Sequence, residues 1–100
     1  MQVIVNLVDH KMNLRQAIEA PRLHQQWLPD VVSWERYGLP QEVAAALRAK
    51  GHILAGDAGA PTSFWGPYWG DAEGILIDLA TGVRLGASDP RGGRSAAVGY

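Results

Sequence analysis

Ala20-Pro21-Arg22-Leu23-His24-Gln25-Gln26-Trp27-Leu28-Pro29-Asp30 is the stretch on which the interpretation of this chain turns. It mixes prolines, an arginine, a histidine, glutamines and a tryptophan with neither a helical period nor strand alternation. Each proline fixes its own φ and biases its predecessor towards extended backbone, which turns Ala20 and Leu28 away from helix. The run is therefore expected to be rigid and extended, its polar groups meeting specific partners.

Working outward, Asn13 reads as the N-cap of a short helix, Leu14–Glu19, closed by Pro21, with Leu14 and Ile18 on one apolar face. Before it, Val3–Asp9 is ambiguous. Its β-branched content favours a strand, whereas the pairs Val3/Leu7, Ile4/Val8 and Val8/Met12 suit a helix. After the run, Val31–Arg36 alternates as a strand and Gly38 ends it. Pro40, at the first helical position, then opens Gln41–Lys50, with Glu42 near the start, Arg48 and Lys50 in the last turn and Gly51 beyond. Val43, Leu47 and Ala46 are expected to face the core. His52–Ala55 reads as a short strand, and Gly56–Gly70 as a loop rich in glycine and proline. Gly74–Leu79 and Val83–Ser88 read as a hairpin with Ala80-Thr81-Gly82 in its turn, and the tail from Asp89 as irregular. The sum is α+β: two or three helices on a mostly antiparallel sheet of three or four strands.

Composition narrows the function classes. A chain of 100 residues with a formal net charge of −1 has no clustered basic face for nucleic acid or a membrane surface. Arg84, Arg91 and Arg94 are offset by Asp71, Glu73, Asp78 and Asp89. The absence of cysteine removes disulfides, thiolate metal sites and a cysteine nucleophile. No apolar run reaches the roughly 20 residues of a membrane span, and the first residues lack the pattern of a signal peptide.

The Pro-Arg-x-His-x-Gln-Trp-Leu-Pro-Asp core of the run, with Trp34-Glu35, Gly51-His52, Gly86-Ala87-Ser88-Asp89-Pro90-Arg91 and Gly99-Tyr100, resembles the C-terminal end of the small subunit of γ-glutamyltranspeptidases (glutathione hydrolases). These belong to the N-terminal-nucleophile hydrolases. The resemblance implies that residues 1–100 are a single domain, a segment of a partial αββα sandwich. It places the end of a long helix at residues 3–9, followed by a glycine where this chain has Lys11. It also implies a complete enzyme that transfers or hydrolyses γ-glutamyl groups through an acyl-enzyme on a leading threonine, whose own α-amine serves as base. The paired serines and glycine pair of that site lie upstream of the matched portion. This sequence opens Met1-Gln2, and its threonines are Thr62 and Thr81. No catalytic, cofactor-binding or metal-binding residue is carried over, no cofactor is expected, and the segment alone is expected to be silent. The implied partner is the upstream part of the enzyme. When isolated, the chain is expected to form a homo-oligomer. The reading from a different class is an independent, non-catalytic domain that self-associates or binds a partner.

Other candidates are weighed on their own residues. His10, His24 and His52 have no second histidine at helical ligand spacing, and His24 reads as a hydrogen-bonded structural residue. Ser33, Ser63, Ser88 and Ser95 lack a nucleophile elbow. Gly92-Gly93-Arg94 has neither the lysine nor the strand-to-helix context of a phosphate loop. Arg22 and Arg91 each follow a proline and lie near Glu19 and Asp89 respectively, where a guanidinium can tie carbonyls and a carboxylate together. Both are expected to be structural clamps. Phe64, Trp65, Tyr68 and Trp69 form an aromatic cluster, plainer and shorter in many family members, that is expected to be a contact surface.

Overall fold

Asn13 does what its position promises: its side chain accepts the Gln16 N–H at 2.9 Å, and the Gln16 side chain accepts the Asn13 N–H at 3.2 Å. This reciprocal capping box starts the helix Leu14–Glu19. In the computed structural model, which describes residues 1–57, 69–93 and 95–99, the elements run as follows. Helices are α1 (Gln2–Val8), α2 (Leu14–Glu19) and α3 (Gln41–Ala49), and strands are β1 (Leu23–His24), β2 (Ser33–Trp34), β3 (Gly74–Ile77) and β4 (Arg84–Ala87). A 3-10 turn, Pro90–Gly92, follows β4. The chain gathers into two compact units, one of residues 1–20 with 70–100 and the other of residues 21–69.

In the first unit the ambiguous N-terminal segment is helical, as the resemblance implied and against its β-branched content. Val3 and Leu7 pack on the buried trio Leu14, Ile18 and Ala87, so the i,i+4 stripe finds a surface to cover. Asn6 Nδ2 donates to the Ala17 carbonyl at 3.2 Å and ties the two helices together. Lys11 takes φ 55, a left-handed conformation that glycine would adopt at less cost. The hairpin β3–β4 pairs antiparallel, with Gly74 opposite Ala87 and Ile77 opposite Arg84. Its connection is held by Asp78, whose carboxylate accepts the Ala80 N–H at 2.9 Å and the Thr81 hydroxyl at 2.7 Å. The tail is less irregular than expected: Asp89 caps a turn opened by Pro90, and Gly93 closes it at φ 65.

In the second unit β1 pairs antiparallel with β2, Leu23 opposite Trp34 and His24 opposite Ser33. The strand expected over residues 31–36 shrinks to two residues, because Tyr37 turns to φ 66 and the Val31 N–H is taken by the Pro29 carbonyl. The strand expected at residues 52–55 reduces to a single parallel bridge, Val32 with the fully buried Leu54. In place of one sheet of three or four strands, the described residues form two two-stranded antiparallel sheets. Pro40 is the N-cap of α3 rather than its first helical residue: its ψ of 149° is extended while its carbonyl already accepts the Ala44 N–H. At the other end Gly51, at φ 91, closes a Schellman motif, with His52 N–H on Leu47 O and Gly51 N–H on Arg48 O. Ala44 is the buried residue of α3; Val43 and Ala46 are exposed, and Leu47 is half-buried. A rotation of about 100° per residue turns the 44/47 stripe inward and carries 43 and 46 to its flanks.

Candidate functional site

α2 is six residues long and cannot satisfy its own last carbonyls. Arg91 supplies the donors from a distant part of the sequence. Its Nη1 donates to Ile18 O at 2.9 Å, and its Nη2 to Glu19 O at 3.3 Å and Ala20 O at 3.0 Å. The same guanidinium meets Asp89 Oδ1 at 3.1 Å, with the Asp89 side chain fully buried. Asp89 is saturated further: Oδ1 accepts the Arg91 N–H at 3.0 Å and Oδ2 the Ala72 N–H at 2.9 Å. A planar fork with several donors suits three successive carbonyls and a carboxylate in a way an ammonium does not. The backbone of Gly92 lies against Asp71, so close that a Cβ there would stand 2.7 Å from the Asp71 carboxylate. The sequence marked Arg91 and Asp89 but missed Asp71, since nothing in its local pattern announces that contact.

Arg22 anchors the second unit in a related manner. Its N–H donates to Glu35 Oε2 at 2.7 Å while its carbonyl accepts the Glu35 N–H at 2.9 Å. A side-chain carboxylate thus stands where a strand would offer a backbone carbonyl, extending the β1–β2 pairing by one step. The guanidinium donates to Trp69 O at 3.0 Å. Both arginines make the structural contacts expected of them. Glu19, by contrast, bonds Arg15 at 2.8 Å one turn away on α2.

His24 Nε2 lies 3.3 Å from Gln26 Oε1, in keeping with its structural reading. Ser33, directly opposite it, is buried, and its Oγ has no hydrogen-bond partner, so these two residues are not arranged as nucleophile and base. Among the described residues no three His, Asp or Glu side chains come together as a metal site. Gly92 and Gly93 belong to the 3-10 turn and its cap. Phe64, Trp65 and Tyr68 of the expected contact surface lie outside the described residues, as do Thr62 and Arg94. Asp57 fastens the end of α3 to the following turn. It accepts from Arg48 Nη2 at 2.7 Å and from the Leu54 N–H at 2.9 Å. These bonds hold its carboxyl below the usual carboxylate range, and the Asp57 partner raises Arg48 in turn. The Thr81 hydroxyl and the Ala80 N–H do the same for Asp78.

What these groups do chemically is fix backbone: two arginines, four carboxylates (Glu35, Asp57, Asp78 and Asp89) and a capping box hold irregular segments in place. The chain is 33% identical over 100 residues to the glutathione hydrolase proenzyme of Escherichia coli (strain K12), covering all of this chain and 15% of that one. Among solved structures it is similar to an acivicin-inhibited γ-glutamyltranspeptidase, with a TM-score of 0.72 and 36% identity, over 90% of this chain and 44% of that one. It shares its fold with the Bacillus anthracis transpeptidase CapD, with a TM-score of 0.73 at 19% identity, covering 99% of this chain and 54% of that one. The chain thus spans about a sixth of the curated proenzyme and under half of the first solved chain. The family model for γ-glutamyltranspeptidase matches residues 1–99, and the chain belongs to that family.

Proposed function

We propose that residues 1–100 are one structural segment, the C-terminal part of the small-subunit-like portion of a γ-glutamyltranspeptidase-like enzyme. The complete enzyme transfers or hydrolyses the γ-glutamyl group of glutathione and related amides through an acyl-enzyme on a threonine supplied by the upstream part. This segment contributes an outer portion of an αββα sandwich and supports the active site from behind, without catalytic residues of its own. The observation that carries this reading is the family match over 1–99 combined with coverage of only 15% of the proenzyme. The hairpin adds support. Ile75 and Ile77 on one face of it and Leu76 and Leu85 on the other are all substantially exposed. A strand pair apolar on both faces is suited to being covered by further polypeptide, as expected of a segment of a larger enzyme.

Turnover of a γ-glutamyl anilide tests the proposal. The purified chain is expected to be inactive, and activity is expected when it is joined to a threonine-led upstream part. Turnover by the chain alone that survives repurification and is lost on Thr62→Ala would overturn it.

A further inference from the structure

Trp27 combines an unfavourable backbone conformation with a largely exposed side chain. Its φ is 74°, in the left-handed region where a large side chain crowds the following carbonyl. Such a residue persists only when its surroundings over-determine it. Here they do: Gln25 Oε1 accepts the Trp27 N–H at 3.2 Å while Gln25 Nε2 donates to Asp30 Oδ1 at 2.8 Å. Gln26 Nε2 donates to Leu28 O at 3.0 Å, and the Gln26 carbonyl accepts the Leu28 N–H at 3.0 Å. The loop is braced, yet what it displays is apolar: Trp27 is 75% and Leu28 64% exposed. Tyr37, also left-handed and exposed, differs in having a local partner, with the Arg36 guanidinium 4.8 Å from its ring centroid.

From this we infer that Trp27 and Leu28 are a preformed anchor seated in the part of the γ-glutamyltranspeptidase-like polypeptide that lies outside this chain, an inference that rests on the function proposed above. Bracing removes the ordering cost of docking, and a tryptophan beside a leucine is the kind of pair that dominates a desolvated contact. The occupant follows from length. The chain accounts for 15% of the proenzyme it matches, so most of the surface available to cover an anchor is polypeptide not present here. The receiving surface is an apolar pocket with an acceptor at its rim for the indole N–H.

The test compares one substitution in two settings. In the first, this chain stands alone; in the second, it replaces its matched segment in the Escherichia coli glutathione hydrolase proenzyme. Trp27→Gly relieves the left-handed strain, so the melting temperature of the isolated chain should stay unchanged or rise. In the fusion the same substitution, and Leu28→Ser, should lower the melting temperature by several degrees. A fall in the isolated chain would make Trp27 part of this chain's own core and overturn the anchor. No fall in the fusion would overturn it while leaving the proposed function standing. Self-association of the isolated chain abolished by Trp27→Gly would assign the anchor to a second copy instead. A wild-type fusion no more stable than this chain alone would remove the proposed function, and the anchor with it.

Discussion

The guanidinium of Arg91 donates to the carbonyl of Ile18 at 2.9 Å across 73 positions of sequence. One side chain therefore closes a helix whose start is set by a local capping box, and it does so while neutralising the buried Asp89. Arg91→Ala should lower the unfolding free energy by about 3–5 kcal/mol, because it strands a buried carboxylate as well as leaving carbonyls unpaired. Arg91→Lys should recover only part of this, since an ammonium cannot span three carbonyls. Urea titration of the three proteins measures it; equal stability of Arg91→Ala and wild type would contradict the clamp.

Gly92→Ala places a methyl group 2.7–2.8 Å from all three atoms of the Asp71 carboxyl group. Something must move, at a cost of about 1–3 kcal/mol. Asp71→Ala should remove most of that penalty in the double variant, as neighbouring sites are not additive. A penalty of the same size with and without Asp71 would show that the clash lies elsewhere.

Asp57 and Asp78 both titrate below the ordinary carboxylate value in the folded chain, through bonds from Arg48 and Leu54 to one and from Thr81 and Ala80 to the other. A depressed folded pKa means that the unfolded state takes up protons first as pH falls. The stabilisation is fully present above the unfolded value of about 3.9 and is lost as pH drops through the lower folded values. Carboxyl carbon shifts followed by NMR should place both midpoints below those of an unfolded reference. Thr81→Ala should move the Asp78 midpoint upward and leave that of Asp57 in place.

The isolated chain should self-associate at micromolar concentration. Ile75, Ile77, Leu79, Val83 and Leu85 expose apolar area around a hairpin that pairs with no third strand among the described residues, which invites pairing with another copy. Sedimentation velocity is the direct measurement. A single species of monomer mass with a cooperative melt would favour an independent domain over a segment of a larger enzyme.

Helices α2 and α3 were legible because their signals are local. Asn13 at the start of one and Gly51 beyond the other each act within a few residues and lie where the pattern put them, whereas α1, whose β-branched content and i,i+4 pairs pull in opposite directions, was ambiguous until its packing partners were known. Sheet extent was not legible. Whether Val31–Arg36 pairs over six residues or two depends on Tyr37 turning left-handed and on the Val31 N–H meeting Pro29, neither of which hydrophobic alternation encodes. The arginine clamps fall between these cases. Their proline-set positions marked Arg22 and Arg91, but the carbonyls they hold, such as Trp69 and Ile18, are fixed only by the folded chain. The inward face of α3 was misjudged for a similar reason: side-chain size favoured Val43, whereas docking selected Ala44.

Closing α2 with a residue from the far end also orders events during synthesis. The carbonyls of Ile18, Glu19 and Ala20 leave the ribosome before the guanidinium that will hold them exists. At roughly 5–20 residues per second, the interval from Ala20 to Arg91 is about 4–14 s. Through that interval a six-residue helix, too short to persist on its own, has only its N-terminal cap. The first unit therefore stays open to outside contacts until Arg91 has been made, and a chain lacking Arg91 would never close it.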